Sequence, residues 1–511
     1  MLFKKNVFKL TILSLILYPL SFINQILISN YFGTSQILDH FWLCLSLVLL
    51  LSMHIGPLKE NLVNDFHKIR NDDIHKSNIF LSENLNFWII ITLIFSLIFW
   101  FYPVELLKLS YQNRELKFFS IEISIFKSLV IFTFVQCLNE ILSSILISAG
   151  KVSFQNLNKL FTTTGSILFI YLFYNQLREY TLVYGLISGS ILIFIFQIWA
   201  LKEIKITFNI FAFPKVSKIS LKNFSILFFP GTIGFLYVVY EKIVFNDISS
   251  GLISSFQYAK SLHDIPQNLI ILVIASSLWP LYIDNINKNK GDHIYEMTKN
   301  KIFLILLLFS LSTILIYLSA QEIIYLFFFR GSFDDSSLQI TYVCLKSVIL
   351  CLIPIGINTI LMRAVYSFGG IKTISLSLFL GNISSILVLY YASIIQSITL
   401  ATYNLFINSI VASIFIALSF LKFTKKLYSF HFWKKLLIWL FKLVLGIIIV
   451  VSSYQFPKFE YIAKIDIFII LIKNYFLITL YLLSLWWLFG VIKLKHLIHL
   501  KNEIFSFKIK L

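Results

Sequence analysis

The chain has 511 residues, 58% hydrophobic and 13% charged, with a formal net charge of +19 and a mean hydropathy of +0.85. Soluble domains carry roughly 25% charged residues, so the polar material needed to coat a water-soluble surface is missing and the chain is a membrane protein. Apolar runs of about 20 residues recur from Phe8 to Leu494, which excludes a soluble enzyme on a single anchor; their continuous rather than alternating character argues against an outer-membrane barrel.

The first segment has a basic start and an apolar run, as a secretory signal does, but the run continues to Tyr31 without a small-residue cleavage site and is read as a retained first helix. Fourteen spans are predicted in chain order: 8–31, 37–57, 84–107, 120–148, 156–177, 180–201, 224–246, 252–284, 302–322, 337–366, 373–396, 398–421, 436–455 and 468–492. Of the 43 Lys and Arg, 30 fall in segments on the side of the N-terminus, 7 on the opposite side and 6 inside spans. The positive-inside bias therefore places both termini in the cytoplasm, and the basic loops read as contacts with anionic lipid rather than with nucleic acid. Cys44, Cys137, Cys344 and Cys351 all fall inside apolar runs, which makes a disulfide or a metal site improbable. A faint two-fold echo links span one, with Pro19 and a tight gap before Asp39 and Phe41, to span seven, with Pro230-Gly231 and a tight gap before Phe256. Halves interrupted in this way are how many transporters build a central cavity.

An ionisable side chain at membrane depth costs several kcal/mol unless it faces a partner or a water-filled cavity. Asp39, Lys127, Glu140, Glu241, Lys242, Lys260, His263, Asp264, Lys346, Arg363, Lys442 and Lys473 are candidates on that ground. For Lys346, Lys442 and Lys473 snorkelling to an interface is the simpler reading, and Arg330 and Arg363 at span ends serve equally well as interfacial anchors. Glu241 and Lys242 are neighbours and are expected to point to different helix faces and to need separate partners. Lys260, His263 and Asp264 stand at i, i+3 and i+4 on one predicted face. A cation, an imidazole and a carboxylate there suit an anionic head group or a coupling ion; the competing reading is an ion pair that locks two helices. The sequence has no Walker-type loop, no HExxH, no cysteine pair at zinc spacing and no Gly-x-Ser-x-Gly elbow. Use of ATP at such a loop is excluded, and the chain is not read as an enzyme.

Three stretches resemble the MurJ (MviN) family of lipid II flippases, within the superfamily that also holds polysaccharide flippases and multidrug exporters. The first is Tyr31-Phe32-Gly33-Thr34-Ser35 with Asp39 and Phe41, similar to the family's junction between its first two helices. The second is Pro230 through Pro266, ending SSFQYAKSLHDIP from Ser254 onward. The third is LFFFRGSFD, from Leu326 to Asp334, followed by Leu361, Arg363, Ala364, Tyr366 and Thr373. The resemblance implies a cavity that takes a sugar-pyrophosphate head group, with Asp39 and Asp264 at the family's acidic positions and Arg330 at its RG.F arginine. Asn24 and Ser261 stand where the family usually carries cavity arginines. Amide and hydroxyl groups do not clamp phosphate as guanidinium does, so Lys260 is placed to substitute.

The expected fold is an all-α polytopic membrane protein with two six-helix lobes, 1–201 and 224–421, around a central cavity. A cytoplasmic linker, 202–223, joins them; two further helices lie in 436–492 and a basic tail in 493–511. The expected function is translocation of a lipid II-type precursor to the outer leaflet of the bacterial cytoplasmic membrane for peptidoglycan synthesis. The expected head-group contacts are Lys260, Asp264, Asp39, Asn24, Ser261 and His263, with Arg330, Arg363, Lys127 and Glu140 as secondary candidates. Flippase activity on an O-antigen or exopolysaccharide repeat is the alternative, followed by cation-coupled drug export and by a non-transporting scaffold. No cofactor or metal is expected, coupling to membrane potential or to an ion is left without an assigned identity, and the partners are the lipid-linked saccharide and the bilayer around a monomer.

Overall fold

The computed structural model describes residues 2–58, 66, 69, 73–108, 120–149, 151, 153–204, 206, 208–209, 211–214, 218–287, 291–424, 441–442, 445–446, 448–450, 452 and 463–488. Long helices dominate these residues, the outcome a bilayer demands, since a helix pairs its backbone N–H and C=O groups within the segment.

The first half comprises α1 (Leu2–Phe32), α2 (Gln36–Val48, prolonged by a 3-10 turn at Leu49–Ser52), α3 (Ile74–Phe101), α4 (Ser120–Ser148), α5 (Phe154–Leu177) and α6 (Tyr180–Glu203). The second comprises α7 (Lys218–Ile248), α8 (Leu252–Asn287), α9 (Gly291–Leu318), the short α10 (Ala320–Phe328), α11 (Asp335–Ile349), α12 (Leu352–Ser367), α13 (Ile371–Ile395) and α14 (Asn404–Phe423). A last helix, α15, runs from Lys464 to Leu488. Within the first half α6 packs on α4 and α5, and α1 on α5; within the second α8 packs on α11 and α12, and α13 on α7 and α14. The halves meet where α1 and α2 touch α7 and α8.

Ten stretches among the described residues are long and apolar enough to cross a membrane. The expected spans at 156–177, 224–246 and 252–284 are also helical, as α5, α7 and α8 of 24, 31 and 36 residues. The span expected at 436–455 and the tail at 493–511 lie largely or wholly outside the described residues. Several boundaries differ from expectation for local reasons. The span expected at 84–107 is α3, which begins at Ile74 behind an Asp73 cap and ends before Pro103, where the ring ends one helix and starts a short new one. The span expected at 302–322 starts earlier, at Gly291, and stops at Leu318 before α10. The span expected at 337–366 is two helices, interrupted at Leu350 and Cys351 just ahead of Pro354.

Small residues set the tightest seam. A Cβ on Gly165 would stand 2.4 Å from the Gly185 carbonyl oxygen, and one on Gly189 2.3 Å from that of Phe161. The backbones of α5 and α6 thus touch without side chains between them, the close approach that glycine permits between membrane helices. All four cysteines are buried and free. Gly189→Leu forces these two backbones apart and is expected to cost about 3 kcal/mol. A fall in monodisperse protein extracted from membranes, with a lower thermal midpoint, checks this; wild-type values of both would refute the seam.

Candidate functional site

Three short connections gather at one end of the bundle: the α1–α2 junction at Gly33, the α7–α8 junction at Gly251 and the segment after α10 at Gly331. All three glycines have positive φ, at 56°, 81° and 55°, the left-handed region that favours glycine. Space constrains them too. A Cβ on Gly33 would lie 2.2 Å from the Ser332 carbonyl oxygen, and one on Gly331 2.1 Å from that of Asn30.

Asp39 holds this end together. Its side chain lies in the core, 1% exposed, and reaches from α2 to the start of α8. There Oδ2 accepts the Gly251 N–H at 2.6 Å, and Oδ1 accepts the Ser254 N–H at 2.8 Å and the Ser254 hydroxyl. A carboxylate at the N-terminus of a helix meets unpaired N–H groups and the positive end of the helix dipole, so Asp39 caps α8 from another helix. Around it Tyr258 donates its hydroxyl to the Gly33 carbonyl at 2.6 Å, Thr34 and Ser337 share a hydroxyl contact of 2.7 Å, and the Ser332 N–H donates to the Asn30 carbonyl at 2.9 Å. Asp334 caps α11 by accepting the Ser337 N–H at 2.8 Å. The Ser337 hydroxyl and N–H hold the Asp334 carboxyl below its usual range. Its contribution to stability is thus present above the ordinary aspartate range and lost as pH falls through the lowered value.

Below this clasp the environment of α8 changes. Residues 252–256, 258 and 259 are buried, whereas Lys260 is exposed and Asp264 half-exposed. The triad does not share one open face. His263 is 1% exposed and its Nδ1 lies 3.1 Å from Oδ1 of Asp264 on its own helix, and no Lys260–Asp264 ion pair exists among the described residues. The helix-locking pair is therefore corrected: the carboxylate contacts its neighbouring imidazole, and Lys260 extends separately into accessible space. Ser261 donates to the Tyr258 carbonyl at 2.7 Å, and Asn24 accepts from Ser166 of α5 at 3.1 Å.

The secondary candidates lie apart from this group. Glu140 accepts from Asn158 at 3.1 Å, inside a network that continues through Ser143 and Gln197. Lys127 lies 5.6 Å from the Trp100 ring. Arg330 is exposed and donates to the Leu326 carbonyl at 3.1 Å, while Arg363 is half-buried in α12. Lys346 sits between the rings of Tyr317 and Tyr342, at 4.9 and 4.5 Å. Glu241 and Lys242 do not find separate partners, as their adjacency suggested. The lysine folds back onto Oε1 of Glu241 at 3.0 Å, because its four-carbon stem is long enough to return along the helix, and Tyr237 donates to the other oxygen at 3.1 Å. Sequence reasoning missed Ser254, Tyr258, Thr34 and Ser337; the only signal for them was that all but Ser337 fall inside the quoted motifs.

The model of the family described as "Lipid II flippase MurJ" matches residues 28–475. The chain belongs to the MurJ family. That places it among transporters rather than enzymes, in a family of multi-pass membrane proteins. A probable lipid II flippase MurJ of Buchnera aphidicola subsp. Baizongia pistaciae is 22% identical over 420 residues, covering 78% of this chain and 81% of the relative. One from Bdellovibrio bacteriovorus is 26% identical over 147 residues, 28% of each chain. Among solved structures, a lipid II flippase MurJ in an inward closed conformation superimposes with a TM-score of 0.71 at 19% identity, over 92% of this chain and 97% of its own. An inward-facing multidrug resistance transporter of the MATE family, within the MOP superfamily, gives 0.63 at 13% identity over 81% and 96%. The MurJ fold thus extends across both halves.

Asp39→Asn puts an amide N–H against backbone N–H groups and leaves a donor unpaired, a loss of about 2 kcal/mol. Tyr258→Phe removes one hydrogen bond, about 1 kcal/mol. Thermal midpoints in detergent are expected to fall in that order, and an unchanged midpoint for Asp39→Asn would falsify the cap.

Proposed function

We propose that this MurJ family member translocates lipid II from the cytoplasmic to the outer leaflet of the bacterial cytoplasmic membrane. The carrying observation is the change along α8, from a first two turns sealed by the Asp39 clasp to an exposed Lys260 and a half-exposed Asp264. A cation left accessible in the middle of a membrane protein is tolerated facing water, not hydrocarbon. A cavity closed at the clasp and wet beyond it gives a polar, doubly anionic head group a route through about 30 Å of hydrocarbon. Opening and closing alternate between the two ends. The polyprenyl tail stays in lipid and no covalent step is needed.

In this reading the halves 1–201 and 224–421 act as two lobes linked by 202–223, with 436–492 as an added pair of helices. Both termini are cytoplasmic, on the charge asymmetry of the loops, so the clasp is the outer gate. Lys260 meets the pyrophosphate in place of the arginines absent at Asn24 and Ser261, and the half-exposed Asp264, backed by the buried His263, stands on the same wall. The protein works as a monomer.

Depletion of the protein is expected to accumulate lipid II on the inner leaflet; accumulation of a different lipid-linked saccharide would reassign the substrate. Loss of a charge-assisted phosphate contact is worth about 1.5–3 kcal/mol, so Lys260→Ala is expected to slow flipping by roughly one to two orders of magnitude. Lys260→Arg retains the charge and part of the rate. Wild-type flipping by Lys260→Ala at matched membrane levels removes Lys260 from the site. Cysteines at Ser35 and Ser397 are expected to react with an impermeant reagent from outside and one at Lys299 is not; the reverse pattern inverts the orientation.

A further inference from the structure

A cavity of about 660 Å³ opens at the clasp end, outside the Asp39 cap. Its walls come from residues 31–37 and 174–179 of the first half and 332–337 of the second. We infer that this cavity is a saccharide-binding site that is whole only while the clasp is closed, so that an occupant holds the transporter shut. The inference rests on the alternating-access reading above but not on the identity of the transported lipid.

The size falls within the roughly 300–1,000 Å³ of small-molecule sites. The chemistry of the walls selects among ligands. Tyr31 and Tyr174 place their ring centroids 4.5 Å apart and offer an apolar face, while Asn175 and five Ser or Thr residues offer neutral donors and acceptors. The charges do not favour an anion. Arg178 shares the cavity with Glu179 and with Asp334, whose carboxylate already accepts from Ser336 and Ser337 at 2.9 and 2.7 Å. Two carboxylates against one guanidinium leave no surplus positive charge for a phosphate, whereas a neutral polyhydroxyl ring meets both the hydroxyls and the aromatic face.

The coupling to transport follows from where the walls belong. The Thr34–Ser337 contact at 2.7 Å and the bond from Ser332 N–H to the Asn30 carbonyl at 2.9 Å join the two halves beside the cavity. Opening this end parts them and splits the site. A ligand that binds one conformation and not the other shifts the population toward the first by its differential affinity. Saccharide outside the cell would therefore slow the export of further saccharide-bearing lipid.

The test uses the full chain and the β-1,4-linked disaccharide of N-acetylglucosamine as probe, with inorganic phosphate in parallel. Spin labels at Gln176 and Gln396, exposed near this end on opposite halves, report opening. Millimolar disaccharide is expected to raise the thermal midpoint, to narrow the label distances to the shorter population and to slow flipping at least twofold when added outside reconstituted vesicles. The double variant Asn175→Leu with Ser336→Leu is expected to keep basal flipping and lose all three responses. Stabilisation by phosphate and not by the disaccharide would overturn the ligand class, and binding with unchanged label distances would overturn the link to closure. No midpoint shift with either probe, or responses that persist in the double variant, would remove the site. If the shortened distances appear while lipid II is not flipped, the substrate assignment fails and this inference stands.

Discussion

The structure depends on one buried carboxylate. Removed from water, an ionised Asp39 is tolerated only with donors arranged around it, and those donors are the first N–H groups of α8 together with the Ser254 hydroxyl. The need is mutual, because a helix that begins inside protein also requires an acceptor for its leading N–H groups. One side chain on α2 thereby fixes where α8 starts, how closely the two junctions approach and which end of the bundle is closed. The same junctions explain why Gly33 and Gly331 admit no larger residue: the chain on either side is already in contact through backbone atoms.

Much of the fold was legible because hydrocarbon imposes a simple rule, long apolar helices between polar breaks, and α5, α6, α8 and α13 follow it closely. Proline marks two breaks, Pro103 after α3 and Pro354 just inside α12, although the second falls in a stretch, 348–357, with no charged residue to show it. The motifs located the important end of the molecule without revealing its contacts. Asp39 was singled out as a head-group ligand candidate, yet its nearest partners are Gly251 and Ser254, far away in sequence, and pairing at that range leaves no mark in a single chain. Local spacing misleads in two places. Glu241 and Lys242 were assigned to different faces from backbone geometry alone, which neglects the reach of a lysine, and His263 was grouped with Lys260 by helical spacing although the imidazole turns inward.

Each half contains its own polar core. In the first, Glu140, Asn158, Ser143 and Gln197 bind one another across α4, α5 and α6. In the second, the Tyr237 hydroxyl lies between Glu241 of its own helix α7 and Asn404 of α14, and Ser385 of α13 donates to the Asn404 carbonyl at 2.8 Å. Networks of this kind strengthen their members mutually in a low-dielectric setting. Of the bonds between halves described above, those of Asp39 and Tyr258 are buried, while the Thr34–Ser337 contact and the Ser332 N–H bond stand beside the open cavity, where water competes. In the proposed transport cycle the halves would part at this seam.

The Glu241–Lys242 contact has an electrical corollary. A charge displaced across the whole membrane field does work of about 2.3 kcal/mol per 100 mV, so a lone buried ion on a moving helix would tie that movement to the membrane voltage. Here the two opposite charges are consecutive residues of α7, 3.0 Å apart, and both are nearly inaccessible. Wherever α7 travels they travel together, and their contributions to gating charge cancel.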